Sequence, residues 1–155
     1  VVHTRGQGKS RDIPLPDFFT GLFENSLEQG EFMTELSIPI PAAKSASAFL
    51  KLETNANDLA ILNVAALVSL DKSGKCAQAR VFVGGGVGEV PVRATSAEKA
   101  LHGKTLTPEL CAAAGQAAKS DVEPLADHRA SAEYRKAMTG VLVERVLQQT
   151  LSRLG

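Results

Sequence analysis

Alternation of apolar and polar positions is sharpest in the middle of the chain. In Ala46–Leu52, the residues Ala48, Leu50 and Leu52 fall on one face and Phe49 and Lys51 on the other, which predicts a half-buried strand. Leu59–Leu70 is a long apolar run with its β-branched residues late, and it reads as a second strand. Asp71-Lys72-Ser73-Gly74 supplies a glycine-containing hairpin loop, after which Cys76–Val83 returns antiparallel. Phe32–Pro39 reads as an earlier strand, stopped by Pro39 and Pro41 because proline cannot donate to a ladder. Residues 1–30 read as irregular, punctuated by Gly6, Gly8, Pro14 and Pro16, with the pair Phe18-Phe19 docked on a neighbouring surface.

After Pro91 the period becomes helical. Thr95 precedes Glu98 by three residues, the arrangement of a capping box, and Gly103 stands where a helix-ending glycine would follow His102. Thr107 is placed to cap a second helix with Pro108 at its first position, where the missing N–H is harmless, and an Ala-rich run continues to Lys119. Ser131 opens the third and longest helix. Its stripe runs through Tyr134, Met138, Val141 and Leu142 and continues through Val146 and Leu147, with the polar Arg145 and Gln149 at the same spacing. Strands first and helices afterwards predict an α+β fold: an antiparallel three- to four-stranded sheet packed against three C-terminal helices.

The chain has 155 residues, enough for one domain with a proper core and short for two. Its 17 basic and 17 acidic residues cancel, so no electrostatic footprint for nucleic acid or an anionic membrane is present. No apolar run approaches the roughly 18 residues of a membrane span. The opening VVHTRGQGKSRD lacks the apolar core of a signal peptide, and its first residue, Val1, reads as the interior of a longer reading frame or a processed product. Cys76 and Cys111 show neither CxxC spacing nor a nearby His and read as small buried hydrophobes, so the expected compartment is cytoplasmic.

Little here announces chemistry. The Gly84-Gly85-Gly86-Val87-Gly88 cluster follows a strand, but no Lys-Ser/Thr follows it as a Walker loop requires. Nor does it open a helix in the Rossmann manner, since Pro91 intervenes; it reads as a sharp turn using positive φ. His3, His102 and His128 share no metal-ligand spacing, and His102 suits the negative end of a helix dipole. Asp121, Glu123 and Asp127 stand near Arg129 and read as a solvated or ion-paired surface. On its own pattern Lys51 is an ordinary exposed strand lysine beside Phe49.

Three phrases carry more than their composition: AFLKLETNANDLAILNVAALVSL at 48–70, VFVGGGVGEVPVRA at 81–94 and SAEYRKAMTGVLVERVL at 131–147. Ile13-Pro14, Asp17-Phe18-Phe19, Gly30-Glu31 and Ile38-Pro39 precede them. In that order the chain resembles the C-terminal half of the FAD-binding (medium) subunit of the molybdenum hydroxylases, the family of xanthine dehydrogenase, aldehyde oxidase and carbon monoxide dehydrogenase. The resemblance implies that residues 1–30 are the closing edge of an FAD-binding domain with a connecting segment, and 31–155 a flavoprotein C-terminal domain. It implies that Met33 and Lys51 lie against FAD and that Asp58 matches the family's loop aspartate. The loop Glu53–Asp58 would lie near the flavin ring, where an electron acceptor approaches. Relatives usually carry arginine in this loop; here it reads Thr54-Asn55-Ala56-Asn57, which favours a quinone, a protein carrier or oxygen over NAD.

The FAD phosphates would be held by the remaining part of the flavin subunit, and this chain would be one piece of a split or cleaved subunit or its separate C-terminal domain. Iron–sulfur and molybdopterin subunits would complete the enzyme, carrying [2Fe–2S] clusters and molybdopterin. Electrons would pass from substrate at molybdenum through those clusters to FAD and onward. A second reading stays open: a non-catalytic assembly module that retains the fold and binds no flavin.

Overall fold

A tight turn opens the molecule. In the computed structural model, which describes residues 1–55 and 57–154, β1 (Val2–Gly6) and β2 (Lys9–Ile13) form an antiparallel hairpin. Its two linking residues both have positive φ, 48° at Gln7 and 76° at Gly8, the backbone twist that two-residue hairpins need. The short helix α1 (Leu15–Phe18) follows, then the paired strands β3 (Phe19–Gly21) and β4 (Glu24–Asn25). The expectation of an irregular first 30 residues is therefore corrected: Gly8 turns a hairpin instead of punctuating a loop. β5 (Glu31–Leu36) pairs with β1, giving the order β2-β1-β5.

Val2, Ile13 and Phe18, joined by Leu27, make the small core of this unit. Phe18 meets Phe19 edge to face, with ring centroids 5.1 Å apart. A polar lock closes it. Arg11 Nε donates to Glu31 Oε1 at 2.9 Å, and the buried Thr4 hydroxyl bonds the same oxygen. Arg11, then the Glu28 N–H and Thr4, hold the Glu31 carboxyl down to about 2. Because β5 belongs to this sheet, the first unit runs Val1–Ile40 and the second from Pro41 onward, rather than dividing after Gly30.

The second unit is built on β6 (Ser45–Leu52), β7 (Leu62–Leu70), β8 (Cys76–Gly84) and β9 (Val92–Arg93), an antiparallel four-stranded sheet in sequence order. The expected first strand of this sheet, Phe32–Pro39, is absent from it, and β9 takes the fourth place. Side chains alternate as the pattern requires: Ala48 on β6, Leu62, Val64, Ala66 and Val68 on β7, and Ala79, Val81 and Val83 on β8 are buried together. Full burial of each Leu or Val contributes about 1.5–3 kcal/mol. The Asp71 carboxylate shapes the β7–β8 loop by accepting from the N–H groups of Ser73 and Lys75.

Helices α2 (Thr95–Leu101), α3 (Pro108–Ala118) and α4 (Ala132–Leu154) cover the buried face of the sheet. Thr107 caps α3 as expected, accepting from the Leu110 N–H. The capping box on α2 is not formed. Thr95 lies inside the helix, and Asp121 supplies the cap by accepting from Ser96 N and Oγ at 2.8 Å. Glu98 instead accepts from Val81 N and pairs with Arg93. Helices α3 and α4 approach at Gly115 and Gly140, where a Cβ on Gly115 would stand 2.4 Å from the Gly140 carbonyl. Leu142, Val146 and Leu147 of the expected α4 stripe are buried, joined by Arg135, Thr139, Gly140, Val143 and Thr150, while Tyr134, Arg145 and Gln149 are exposed and Met138 and Val141 half-buried. Cys76 and Cys111 are free and buried, and burial pushes the Cys111 thiol up to about 11. Among the described residues no helix is long and apolar enough to cross a membrane.

Candidate functional site

The face of the sheet away from the helices is open. Register places Phe49 of β6, Ala65 of β7 and Phe82 of β8 side by side, with Phe49 58% and Phe82 39% exposed. Lys51 follows Phe49 by two residues on β6 and shares that face, opposite Asn63. The alternation that buries Ala48, Leu50 and Leu52 on one side thus presents an ammonium next to an aromatic surface on the other.

The Lys51 ammonium is held at the mouth of the β6–β7 loop. It pairs with Glu53 and donates to the backbone carbonyl of Asp58 at 3.1 Å. The loop base is closed by Ile61 N donating to Leu52 O at 2.8 Å, and Asn57 turns the chain with φ 69°. Ala56, within this loop, lies outside the described residues. Asp58 turns its carboxylate to Arg129: Oδ1 accepts from Nη1 at 3.1 Å and from its neighbour's N–H, Leu59 N, at 3.0 Å. Arg129, then Leu59 N–H, hold the Asp58 carboxyl below the usual carboxylate range. The same Nη1 donates to the Leu59 carbonyl at 3.3 Å.

Behind this lies a buried cation that sequence pattern did not reveal. Arg135 of α4 is almost wholly enclosed; its Nε donates to Ile61 O at 3.1 Å, its Nη1 to Leu125 O and Ala130 O, and its Nη2 to Asp127 Oδ1 at 2.8 Å. Asp127 also accepts from the N–H groups of Arg129 and Ala130, so the Arg129 N–H and the Arg135 guanidinium hold its carboxyl down to about 2. Asp121 and Asp127 are therefore structural acceptors rather than merely solvated charges. The signal for Arg135 was its position, one residue off the apparent stripe of α4.

The glycine cluster proves to be a packed turn. Gly85 and Gly86 have φ of 88° and 73°; a Cβ on Gly85 would meet Leu62 Cα at 2.8 Å, and one on Gly86 would meet Arg135 Cζ at 3.2 Å. Its carbonyls are occupied, Gly86 O by Leu125 N and Val87 O by Glu123 N. Of the sequence-derived site residues, the structure brings Lys51 and Asp58 together; Met33 lies on β5 of the first unit, half-exposed. Among the described residues no three His, Cys, Asp or Glu side chains gather as a metal site.

An open antiparallel sheet backed by three helices, with a lysine on its free face, defines the class of domain. Residues 47–150 match the family described as CO dehydrogenase flavoprotein C-terminal domain, and the chain belongs to that family. It is 36% identical, over 92% of its length, to the 6-hydroxypseudooxynicotine dehydrogenase complex subunit alpha of Paenarthrobacter nicotinovorans, of which it covers 48%. It is 32% identical to the nicotinate dehydrogenase FAD-subunit of Eubacterium barkeri, over 94% of this chain and 50% of that one. Among solved structures, the carbon monoxide dehydrogenase of Hydrogenophaga pseudoflava lacking the Mo-pyranopterin moiety superposes with a TM-score of 0.89 and 33% identity, covering 98% of this chain and 52% of that one. The chain spans about half the length of the curated relatives it matches.

Proposed function

We propose that this chain is part of the FAD-binding subunit of a molybdenum-containing hydroxylase or dehydrogenase, helping to position FAD between the donor centres and an electron acceptor. The observation that carries the proposal is Lys51: an exposed ammonium with fixed hydrogen-bond partners on the open aromatic face of a flavoprotein-family domain. FAD, when bound, accepts electrons from the donor centres and releases them to the acceptor. An ammonium next to a ring that gains negative charge on reduction stabilises the reduced form. Lys51 would supply that charge, and Asp58 would fix the loop behind it. The residues suit one edge of a flavin rather than a whole dinucleotide. The glycine turn is filled by Arg135 and Leu62, which leaves no cradle there for a pyrophosphate.

The phosphates would accordingly be bound by the remaining part of the flavin subunit, with iron–sulfur and molybdopterin subunits as further partners. The acceptor side is close to electroneutral: Lys51 faces Glu53 and Arg129 faces Asp58. Arg129 brings to the loop the arginine that the loop itself lacks, but that charge is spent on Asp58. A quinone, a protein carrier or oxygen therefore remains the favoured acceptor over the anionic NAD. The test is purification of the chain alone and together with its partner chains. The assembled complex should carry stoichiometric flavin, seen by its visible absorption, and the chain alone should not. A complex assembled without flavin would favour the non-catalytic assembly module instead.

A further inference from the structure

The 58–59 peptide is gripped from both sides. Its carbonyl oxygen, Asp58 O, accepts a hydrogen bond from the Lys51 ammonium at 3.1 Å. Arg129 Nη1 holds the side chain of Asp58 at 3.1 Å and the carbonyl of Leu59 at 3.3 Å, one group before and one after that peptide. Arg129 is in turn anchored: its own N–H and that of Ala130 donate to Asp127 Oδ1 at 2.8 and 3.1 Å, and this oxygen is held by Arg135 Nη2 at 2.8 Å. Arg135 also fixes the far end of the same loop through Ile61 O. A continuous strut thus runs from the helix core to the lysine on the open sheet face.

We infer that Arg129 is a positioning residue: backed by the buried Arg135–Asp127 pair, it fixes the Asp58 carbonyl on which the Lys51 ammonium rests, and so sets where that charge is held. The inference rests on the reading of Lys51 as a flavin contact. Its physical content is separate. Without the guanidinium, the Asp58 carboxylate has no cation of its own and is free to turn toward Lys51, which would compensate the lysine charge and loosen its placement. The Arg129–Asp58 pair is half-buried at the rim of the domain, where water can take over either partner, so the strut can change without unfolding the domain. A single Nη1 nitrogen makes both contacts, so a lysine ammonium at this position can reproduce part of the grip.

The experiment compares Lys51→Ala, Arg129→Gln, Arg129→Lys and the Lys51→Ala/Arg129→Gln double variant in the assembled flavoprotein. The readouts are the equilibrium of flavin reduction, flavin content and melting temperature. Lys51→Ala and Arg129→Gln should each move the reduction equilibrium several-fold toward oxidised flavin, and Arg129→Lys should recover most of it. The double variant should match Lys51→Ala alone in reduction equilibrium and in flavin content, with a melting temperature near that of the parent. A shift in Lys51→Ala with none in Arg129→Gln overturns the positioning role and leaves Lys51 at the flavin. Additive shifts also overturn it, because Arg129 would then act on the flavin directly. No shift in Lys51→Ala removes the flavin reading of Lys51 and the inference with it. In the full chain, side-chain relaxation at Lys51 Cε gives a second reading: Arg129→Gln should lower its order while the main chain stays rigid, and unchanged order would refute the strut.

Discussion

Arg129 and Arg135 come from adjoining stretches of chain and each faces an aspartate, yet the two pairs are different kinds of object. The Arg135 side chain is 2% exposed and surrounded by backbone carbonyls, whereas that of Arg129 is 24% exposed and its partner Asp58 33%. Burial makes the first obligatory: a guanidinium removed from water must find acceptors, and the carbonyls of Ile61, Leu125 and Ala130 have become dependent on it. Solvent makes the second optional. Water can replace either partner at small cost, so the Lys51–Asp58–Arg129 group is available for a ligand in a way the Arg135 group is not. The same chemistry thus serves as a keystone at Arg135 and as an adjustable support at Arg129.

That contrast breaks most directly at Arg135. Arg135→Met should cost on the order of 3 kcal/mol, because it leaves the buried Ile61 carbonyl and the part-buried Leu125, Ala130 and Asp127 oxygens without their donor while nearly conserving volume. For a chain of this size the melting temperature should fall by roughly 10 °C, measured by thermal unfolding. A loss close to zero would show that water fills the site and that the keystone description fails. The glycine turn beside it should follow: Gly86→Val places a β-branched residue at φ 73°, with its Cβ against the Arg135 guanidinium. The expected cost is about 1–3 kcal/mol, seen as reduced stability and poorer assembly with no selective loss of the acceptor step.

Acid should separate the two regions further. The Asp127 carboxyl is held at about 2 against an ordinary 3.8, so its contribution is complete above 3.8 and is lost as the pH falls through about 2. Asp127→Asn should therefore lower stability near neutrality and flatten its fall across that window, measured by acid unfolding. An identical acid profile in the variant would mean that the Arg135 pair is not what acid breaks. Smallest is Lys51→Ala, expected to change the unfolding free energy of the chain by less than about 1 kcal/mol while weakening flavin retention or altering its potential in the assembled complex. A large stability loss there would place Lys51 with the keystone rather than the support.

How much of this was legible beforehand varied by residue. Lys51 and Asp58 could be marked from the strand alternation and the family phrase, and the open face of β6 was readable from Phe49 and Lys51 alternating with Leu50 and Leu52. Arg129 could be seen only as a surface charge, because its partner lies 71 residues away. Arg135 is legible as part of the YRK phrase but not as buried, since a charged residue outside the apolar stripe reads as solvent-facing and its acceptor Ile61 lies 74 residues away.

Local chemistry, then, was settled by the sequence itself: the period-two strands β6 to β8, the Asp71–Gly74 loop, the Thr107-Pro108 helix start and the family phrases all depend on near neighbours in the chain. Tertiary structure decided the rest. β5 joined β1 instead of β6, Asp121 displaced Thr95 as the cap of α2, and Arg135 found acceptors both at Ile61 and in the connection between α3 and α4. These are pairings between distant groups, chosen by which buried donors and acceptors the folded core brings within reach, and hydrophobic period carries no record of them.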